Sequence, residues 1–477
     1  MRVLPWREEL RKARKPKERM SIERAPRNEL DPAVRRTSMN LEVNIGLSRE
    51  QALVEASRCL DCPDAPCTEG CPAGVNIPSF IKNIERGEIM EAVKVIRRTS
   101  SLPAVCGRVC PQEKQCESRC TYLKTGRKAV SIGALERFAA DYEIEHPEES
   151  PQIEIQSNGI KVAAIGSGPA GLSFAGDMAA AGYDVTVYEA RKEFGGVLRY
   201  GIPEYRLPKH IVDREIDKLR KMGVKFVNEC LVGRDISYDE FNSRAYAGVF
   251  VGSGAGRSRH MNIPGRKLGG ICSWGGFLRD VNDREREISM RGLTVAVIGG
   301  GNTAMDASRS AMRLGAKKVY IIYRRSREEM PASVSEIREA EEEGIEILTL
   351  RNPLEYISDS KGNVKGVKLQ IMKLGEPDES GRRSAVPVEG SVESLMVDDV
   401  IESIGSRPDN VITSSIEELK TDERGSILVD HSQRSTAGNI YAGGDVVRGA
   451  ATVILAMGDG RRAAASMIER LNKASAE

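Results

Sequence analysis

From about residue 160 onward, short runs of Val, Ile and Ala alternate with longer stretches of helical period. Apolar runs at residues 161–165, 184–188, 294–298 and 319–322 read as parallel strands joined by crossover helices. The first third has a different texture. There, Ser48 caps an expected helix running to Arg58, and Pro78 and Glu88 lie near the starts of two short amphipathic helices, with little strand signal. Residues 141–159, rich in Glu, Pro, Ser and Asn, read as a linker. The charged stretch 324–343 predicts a surface helix, and the punctuated stretch 359–397 predicts antiparallel strands.

Strand, glycine loop and helix occur twice, which suggests a duplicated dinucleotide-binding unit. Gly166-Ser167-Gly168-Pro169-Ala170-Gly171 follows the first strand, and Glu189 ends the next. In such a loop the glycines give a tight turn, close approach to a pyrophosphate and close packing of helix on strand. The acid then accepts hydrogen bonds from ribose hydroxyls. FAD is the expected occupant. The second loop, Gly299-Gly300-Gly301-Asn302-Thr303-Ala304, sits in the same context, but the strand after it ends in Tyr323-Arg324-Arg325. Guanidinium groups at that position match a 2′-phosphate, so NADP(H) is expected there in preference to NAD(H). A solvated basic loop is the alternative. Tyr441-Ala442-Gly443-Gly444-Asp445 reads as a strand, a turn and an acid facing the flavin, followed by a helix from about Ala451 and Thr452 whose positive end points at it. Residues 400–405 are expected to return the chain to the FAD unit.

Of ten cysteines, eight lie between Cys59 and Cys120. Cys59, Cys62, Cys67 and Cys71 are spaced C-x2-C-x4-C-x3-C before Pro72, and Cys110, Cys116 and Cys120 follow as C-P-x4-C-x3-C. This spacing points to iron-sulfur clusters, in which the last cysteine of a run often serves the neighbouring cluster. Zinc on four thiolates and a disulfide framework are the alternatives. Neither Cys230 nor Cys272 forms a closely spaced pair after a glycine loop, so a disulfide reductase would lack its dithiol.

At 477 residues the chain is expected to form roughly two to four domains. Net charge is +2, which gives no reason to expect a nucleic-acid partner. No stretch approaches the ~18 apolar residues of a membrane span, and a soluble cytoplasmic protein is expected. Basic residues from Arg2 to Arg27 outnumber the acids and read as a solvated arm, with docking to a partner subunit as the alternative.

The cysteine arrangement, Ile132-Gly133-Ala134-Leu135-Glu136-Arg137-Phe138, Gly195-Gly196-Val197-Leu198-Arg199-Tyr200-Gly201-Ile202-Pro203, and Tyr323-Arg324-Arg325 through Met330-Pro331 carry a resemblance to a known family. The chain resembles the small subunit of glutamate synthase. It is also similar to the large subunit of NADH-dependent ferredoxin:NADP oxidoreductase and to the N-terminal part of dihydropyrimidine dehydrogenase.

The resemblance implies two [4Fe-4S] clusters, one on Cys59, Cys62, Cys67 and Cys120, the other on Cys71, Cys110, Cys116 and Glu136. Cys106 would be a spare thiol, and a surface carboxylate is the alternative for Glu136. It also implies that Gly196, Val197, Arg199, Gly201, Ile202, Pro203 and Arg206 line and tune the flavin. The expected fold is α/β, with two Rossmann-like units in a glutathione-reductase-like arrangement behind a helical iron-sulfur domain. The division is 1–155 for the clusters, 156–269 for FAD, 270–396 for NADP(H) and 397–477 for the rest of the FAD unit. The implied activity is electron transfer between NADPH, FAD and the clusters, to or from a partner subunit carrying flavin or iron-sulfur centres. Two settings fit, an electron-bifurcating complex of transhydrogenase or hydrogenase type and glutamate synthase itself. A non-catalytic scaffold is the competing class.

Overall fold

The computed structural model describes residues 4–150, 154–283, 286–379 and 381–474. Arg2 lies outside them. Before residue 150 the described elements are helices, among them Arg49–Arg58, Ile77–Glu85, Ile89–Arg97, Pro103–Val109 and Ile132–Glu145. Ser48 caps the first of these in a capping box: its Oγ accepts from Gln51 N at 3.3 Å while Gln51 Oε1 accepts from Ser48 N at 2.9 Å. Helix Ile77–Glu85 turns Ile77, Phe80, Ile81 and Ile84 inward, the spacing of one buried helical face.

Two five-stranded parallel sheets follow. In the first, strand Lys161–Ile165 lies between Asp184–Tyr188 and Gly248–Val251, with Lys225–Val227 and Ile440–Ala442 at the edges. In the second, Thr294–Ile298 lies between Lys318–Tyr323 and Asp399–Glu402, with Glu346–Thr349 and Ile271–Ser273 outside them. Strands Arg351–Ser358, Val364–Pro377 and Arg383–Met396 form a separate antiparallel sheet. The short pair Arg257–Ser258 and Ser406–Arg407 runs antiparallel where the chain leaves and re-enters the first unit.

The helical region and the first unit share one hydrophobic core, in which Ile77 and Leu135 belong to the same cluster as Val162, Phe174 and Met457. Glycines permit the closest approaches. A Cβ at Gly458 would sit 2.7 Å from the Pro72 carbonyl oxygen, and one at Gly460 would sit 2.3 Å from that of Ala170. Helix Val453–Ala474 therefore packs directly on helix Pro169–Ala180 and on the cysteine loop.

Four expectations need correction. Helix Ile132–Glu145 occupies the first residues of the supposed linker, because Leu135, Ala139 and Ala140 bury an apolar face that composition alone concealed; residues 151–153 of that stretch lie outside the described residues. Strand Asp399–Glu402 pairs within the second sheet, so the chain returns to the first unit after Glu402 and not at 397. Helix Val334–Glu342 is a surface helix on one side only: Val334, Arg338 and Glu341 are exposed, but Glu336 and Glu339 on its other face are buried against arginines. Nor is the basic N-terminus a solvated arm. Arg7 and Arg19 are buried, Arg7 and Arg11 pair with Asp61 in the cysteine loop, and Arg19 pairs with Glu85.

Candidate functional site

The cysteines surround two cavities. Cys59, Cys62, Cys67 and Cys120 line one, together with Ile81 and Tyr122. Cys71, Cys110, Cys116 and Glu136 line another, together with Gln115 and Ile454. Ile77 and Ile132 border both. Each run of cysteines is thus split between the cavities, with Cys71 crossing to one side and Cys120 to the other. Among the described residues no three Cys, His, Asp or Glu side chains converge tightly enough to hold a single ion. Four donors spread around each cavity, all thiols in the first and three thiols with a carboxylate in the second, suit a polynuclear cluster better than one zinc.

Buried close to one another, these donors hold their protons more tightly than they would in water. Burial raises the Cys71 thiol to about 11, with the Glu136 carboxylate adding to it. Burial also pushes Glu136 up to about 8, helped by Glu215. Glu136 has no ion pair among the described residues, which fits a carboxylate held for a ligand. Loading the cavities would displace protons from these groups. Cys106 is fully buried and lines neither cavity; its Sγ contacts Met457 Sδ at 3.4 Å.

In the first dinucleotide unit Gly166 has φ +103°, and a Cβ there would lie 2.5 Å from the Gly252 carbonyl oxygen. A Cβ at Gly171 would lie 1.9 Å from the Gly166 oxygen, whereas one at Gly168 would project into open space. That space is the cradle a pyrophosphate requires, at the N-terminus of helix Pro169–Ala180, which also carries Ala170. Glu189 is buried; its Oε2 accepts from Ser167 N at 3.1 Å and from Ser167 Oγ, and its Oε1 from Arg191 N at 3.0 Å, so Oε1 keeps capacity for a ribose hydroxyl.

Gly196, at φ +53°, packs on Gly168, and the following Val197 leaves an apolar surface 42% exposed beside the cradle. Gly201 packs on Val197, and Ile202 and Pro203 are buried. Arg199 donates to the Phe194 carbonyl at 2.8 Å and pairs with Asp213. Arg206 departs from expectation. Both oxygens of Asp306 accept from it at 2.7 Å, and Glu336 pairs with it at 2.9 Å. It is bound up with the second unit and is not free at a flavin.

Sequence reading missed Asp459. This fully buried acid accepts from Gly444 N at 3.0 Å and from Arg448 at 2.6 Å, fixing the turn at φ +76°. The signal was Gly458-Asp459-Gly460 inside a helix, where glycine is costly unless something must come close. Asp445 accepts from Ala451 N at 3.2 Å, and burial raises its carboxyl to about 6. Thr452 Oγ1 caps helix Val453–Ala474 and accepts from Gln115 at 3.3 Å. Gln115 and Ile454 line the second cysteine cavity, so this helix start joins the two sites.

In the second unit Gly299 has φ +142°, and a Cβ there would lie 2.2 Å from the Ser403 oxygen. The Gly301 position opens onto little but Pro331, at 3.9 Å. Helix Asn302–Arg313 starts there, carrying Thr303 and Ala304, and Asn302 Oδ1 accepts from Ser333 N at 2.8 Å. Arg324 is exposed and has no ion pair among the described residues. Arg325 differs: it is buried and paired with Asp378. Arg324 is therefore the guanidinium free for a phosphate.

Residues 35–148 match the family described as dihydropyrimidine dehydrogenase domain II, 4Fe-4S cluster, and residues 160–460 match pyridine nucleotide-disulphide oxidoreductase. The chain is 36% identical to the glutamate synthase [NADPH] small chain of Azospirillum brasilense, over 94% of each. This chain belongs to the glutamate synthase small-chain family of pyridine nucleotide-disulphide oxidoreductases. It is also 40% identical to the beta subunit of the NADP(+)-dependent formate dehydrogenase of Moorella thermoacetica, matching 86% of this chain but spanning only 60% of that subunit. The solved structure of Mycobacterium tuberculosis FprA in complex with NADPH shares the fold, with a TM-score of 0.57 at 20% identity over 67% of this chain and 86% of FprA. Membership makes the chain an oxidoreductase whose cofactors are FAD, a pyridine nucleotide and [4Fe-4S] iron-sulfur centres. Among the described residues no helix is long and apolar enough to cross a membrane.

Proposed function

We propose that this small-chain family member is the NADPH-linked electron-transfer subunit of a cytoplasmic complex, passing electrons between NADPH, FAD and two [4Fe-4S] clusters to or from a partner subunit. The observation that carries this reading is the pair of adjoining four-donor cavities, the second of which shares Ile454 and Gln115 with the start of helix Val453–Ala474. When bound, the flavin exchanges electron pairs with a nicotinamide and single electrons with iron-sulfur centres.

The chain's own residues bind, orient and exclude water. Cys59, Cys62, Cys67 and Cys120 would hold one cluster, and Cys71, Cys110, Cys116 and Glu136 the other. Gly166, Gly168 and Gly171 admit the FAD pyrophosphate, and Glu189 receives a ribose hydroxyl. Asp459 holds the Gly443-Gly444 turn so that Asp445 and the helix start at Thr452 face the flavin. Gly299, Gly301 and Asn302 receive the nicotinamide dinucleotide, and Arg324 receives its 2′-phosphate. No side chain need act as an acid or base, because the work is positioning and electrostatics. The division we propose is a cluster domain to about residue 155, and a flavin unit interrupted from about 270 to 402 by the NADP(H) unit.

Agreement over nearly the whole length of the A. brasilense chain favours a glutamate-forming large subunit as partner. The higher identity to the formate dehydrogenase beta subunit supports a second reading, membership of an electron-bifurcating or formate-linked complex. Purification of the native complex and identification of the other chains separates the two. For the shared reading, anaerobic NADPH is added to the reconstituted protein. Flavin bleaching with a paramagnetic iron signal is expected, and bleaching with neither iron nor labile sulfide present refutes it.

A further inference from the structure

One wall of the first cavity is helix Ile77–Glu85, through Ile77, Pro78 and Ile81. Lys82 follows on that helix and is wholly buried. Its Nζ donates to the Cys59 carbonyl and to Glu85 Oε2, both at 2.5 Å. A methionine of similar volume would fill this space but would take this donor from the Cys59 carbonyl and from Glu85, so the lysine is held for its charge and its hydrogen bonds and not for its bulk.

The neighbours extend the pattern. Arg7 and Arg11 flank Asp61, Arg19 shares Glu85 with Lys82, and Arg58 pairs with Glu55 while lying over the ring of Tyr122, a residue of the cavity wall. These named groups comprise five cations and three acids. The second cavity is bordered differently. Glu136 lines it, Glu117, next to Cys116, pairs with Arg24, and Arg108 and Arg137, which flank Cys110 and Glu136 in sequence, share Glu42 and Asp141, so the groups named here comprise three cations and four acids. Adding one electron to either site makes it one charge more negative and needs no proton. In a low-dielectric interior an excess of positive charge favours that step, and an excess of negative charge opposes it.

We propose that Lys82 is a positioning residue for electron storage. Its buried ammonium raises the potential of the group held by Cys59, Cys62, Cys67 and Cys120 above that of the group held by Cys71, Cys110, Cys116 and Glu136. An electron then comes to rest in the cavity that shares no lining residue with helix Val453–Ala474. This rests on the cluster reading of the two cavities.

The test is an EPR-monitored redox titration of the anaerobically reconstituted full chain and of Lys82→Met, Lys82→Arg, Glu85→Gln and Glu136→Cys, with iron and sulfide counted in each. Lys82→Met is expected to make one of two signals about tenfold harder to reduce, about 59 mV for a one-electron couple. Lys82→Arg restores most of that, and Glu85→Gln, which removes an acid, shifts the same signal the other way. Glu136→Cys changes the line shape of the other signal and so identifies it. Should Lys82→Met move neither signal, or move the one that Glu136→Cys alters, the proposal is overturned. Should Lys82→Met fail to retain iron, Glu85→Gln decides: an upward shift upholds the proposal and no shift overturns it. Absence of both iron signals in the parent protein instead refutes the cluster reading on which it stands.

Discussion

Replacing Glu343 by Gln tests how the second unit is held to the rest of the protein. Glu343 is wholly buried and accepts five hydrogen bonds, two from Arg309, two from Arg313 and one from Arg35. Burial alone would raise its carboxyl, but the guanidinium groups of Arg313 and Arg309 outweigh burial and hold it at about 2, below the ordinary 4.5. A shift of that size corresponds to about 3 kcal/mol of stability. Because the folded value lies below the unfolded one, this stability is fully present above about pH 4.5 and fades as pH falls toward 2.

In the variant Arg309 keeps Glu336 and Glu339 and Arg35 keeps Glu29 and Glu342, but Arg313 loses its acid partner among the described residues, and an uncompensated buried charge typically costs about 3–5 kcal/mol. Urea denaturation followed by circular dichroism at pH 7 should show Glu343→Gln less stable by about 3 kcal/mol or more. The gap should narrow in the same experiment below pH 4.5. Arg309 and Arg313 belong to helix Asn302–Arg313, which begins at the second glycine loop, so the KM for NADPH should rise as well. A gap under about 0.5 kcal/mol at pH 7, or one that does not narrow in acid, refutes the reasoning.

Cys106→Ser should retain the full iron and sulfide content, since Cys106 lines neither cavity; loss of iron in that variant overturns the donor sets. Arg324→Gln should raise the KM for NADPH about tenfold, as expected for a charged hydrogen bond worth roughly 1.5 kcal/mol or more, and leave that for NADH nearly unchanged. Equal effects on both refute the 2′-phosphate role, and a larger effect from Arg325→Gln contradicts its commitment to Asp378. Gly460→Val places a side chain where even a Cβ would lie 2.3 Å from the Ala170 oxygen. It should therefore part helices Pro169–Ala180 and Val453–Ala474 and yield protein with little bound FAD, read by absorbance of the purified protein; normal flavin content refutes the packing argument.

How far the sequence could be read depended on the range of the interaction. The strands Lys161–Ile165, Asp184–Tyr188 and Thr294–Ile298 were legible residue by residue, because a buried parallel strand is written in its own apolar run and, for the first and third, in the glycine that follows it. The inner face of helix Val334–Glu342 was missed for the opposite reason. Its glutamates look like a solvated face until Arg309, about thirty residues away, Arg206 from the other unit and Arg35 from the N-terminal region arrive to neutralise that patch. The same holds for Arg7 and Arg19, whose acids Asp61 and Glu85 are remote in sequence.

By itself the sequence determined the chemistry on offer: the soft donors of the cysteine runs and the two glycine loops, features carried within short segments by spacing and backbone freedom. Tertiary structure decided how these were distributed. It sorted the cysteine runs into two cavities sharing Ile77 and Ile132, set one cavity against the start of helix Val453–Ala474, and left Arg324 free while committing Arg325 and Arg206 to ion pairs. The physical reason is that a donor's type is a property of one side chain, whereas its charge environment and its neighbours belong to whatever the folded chain packs around it.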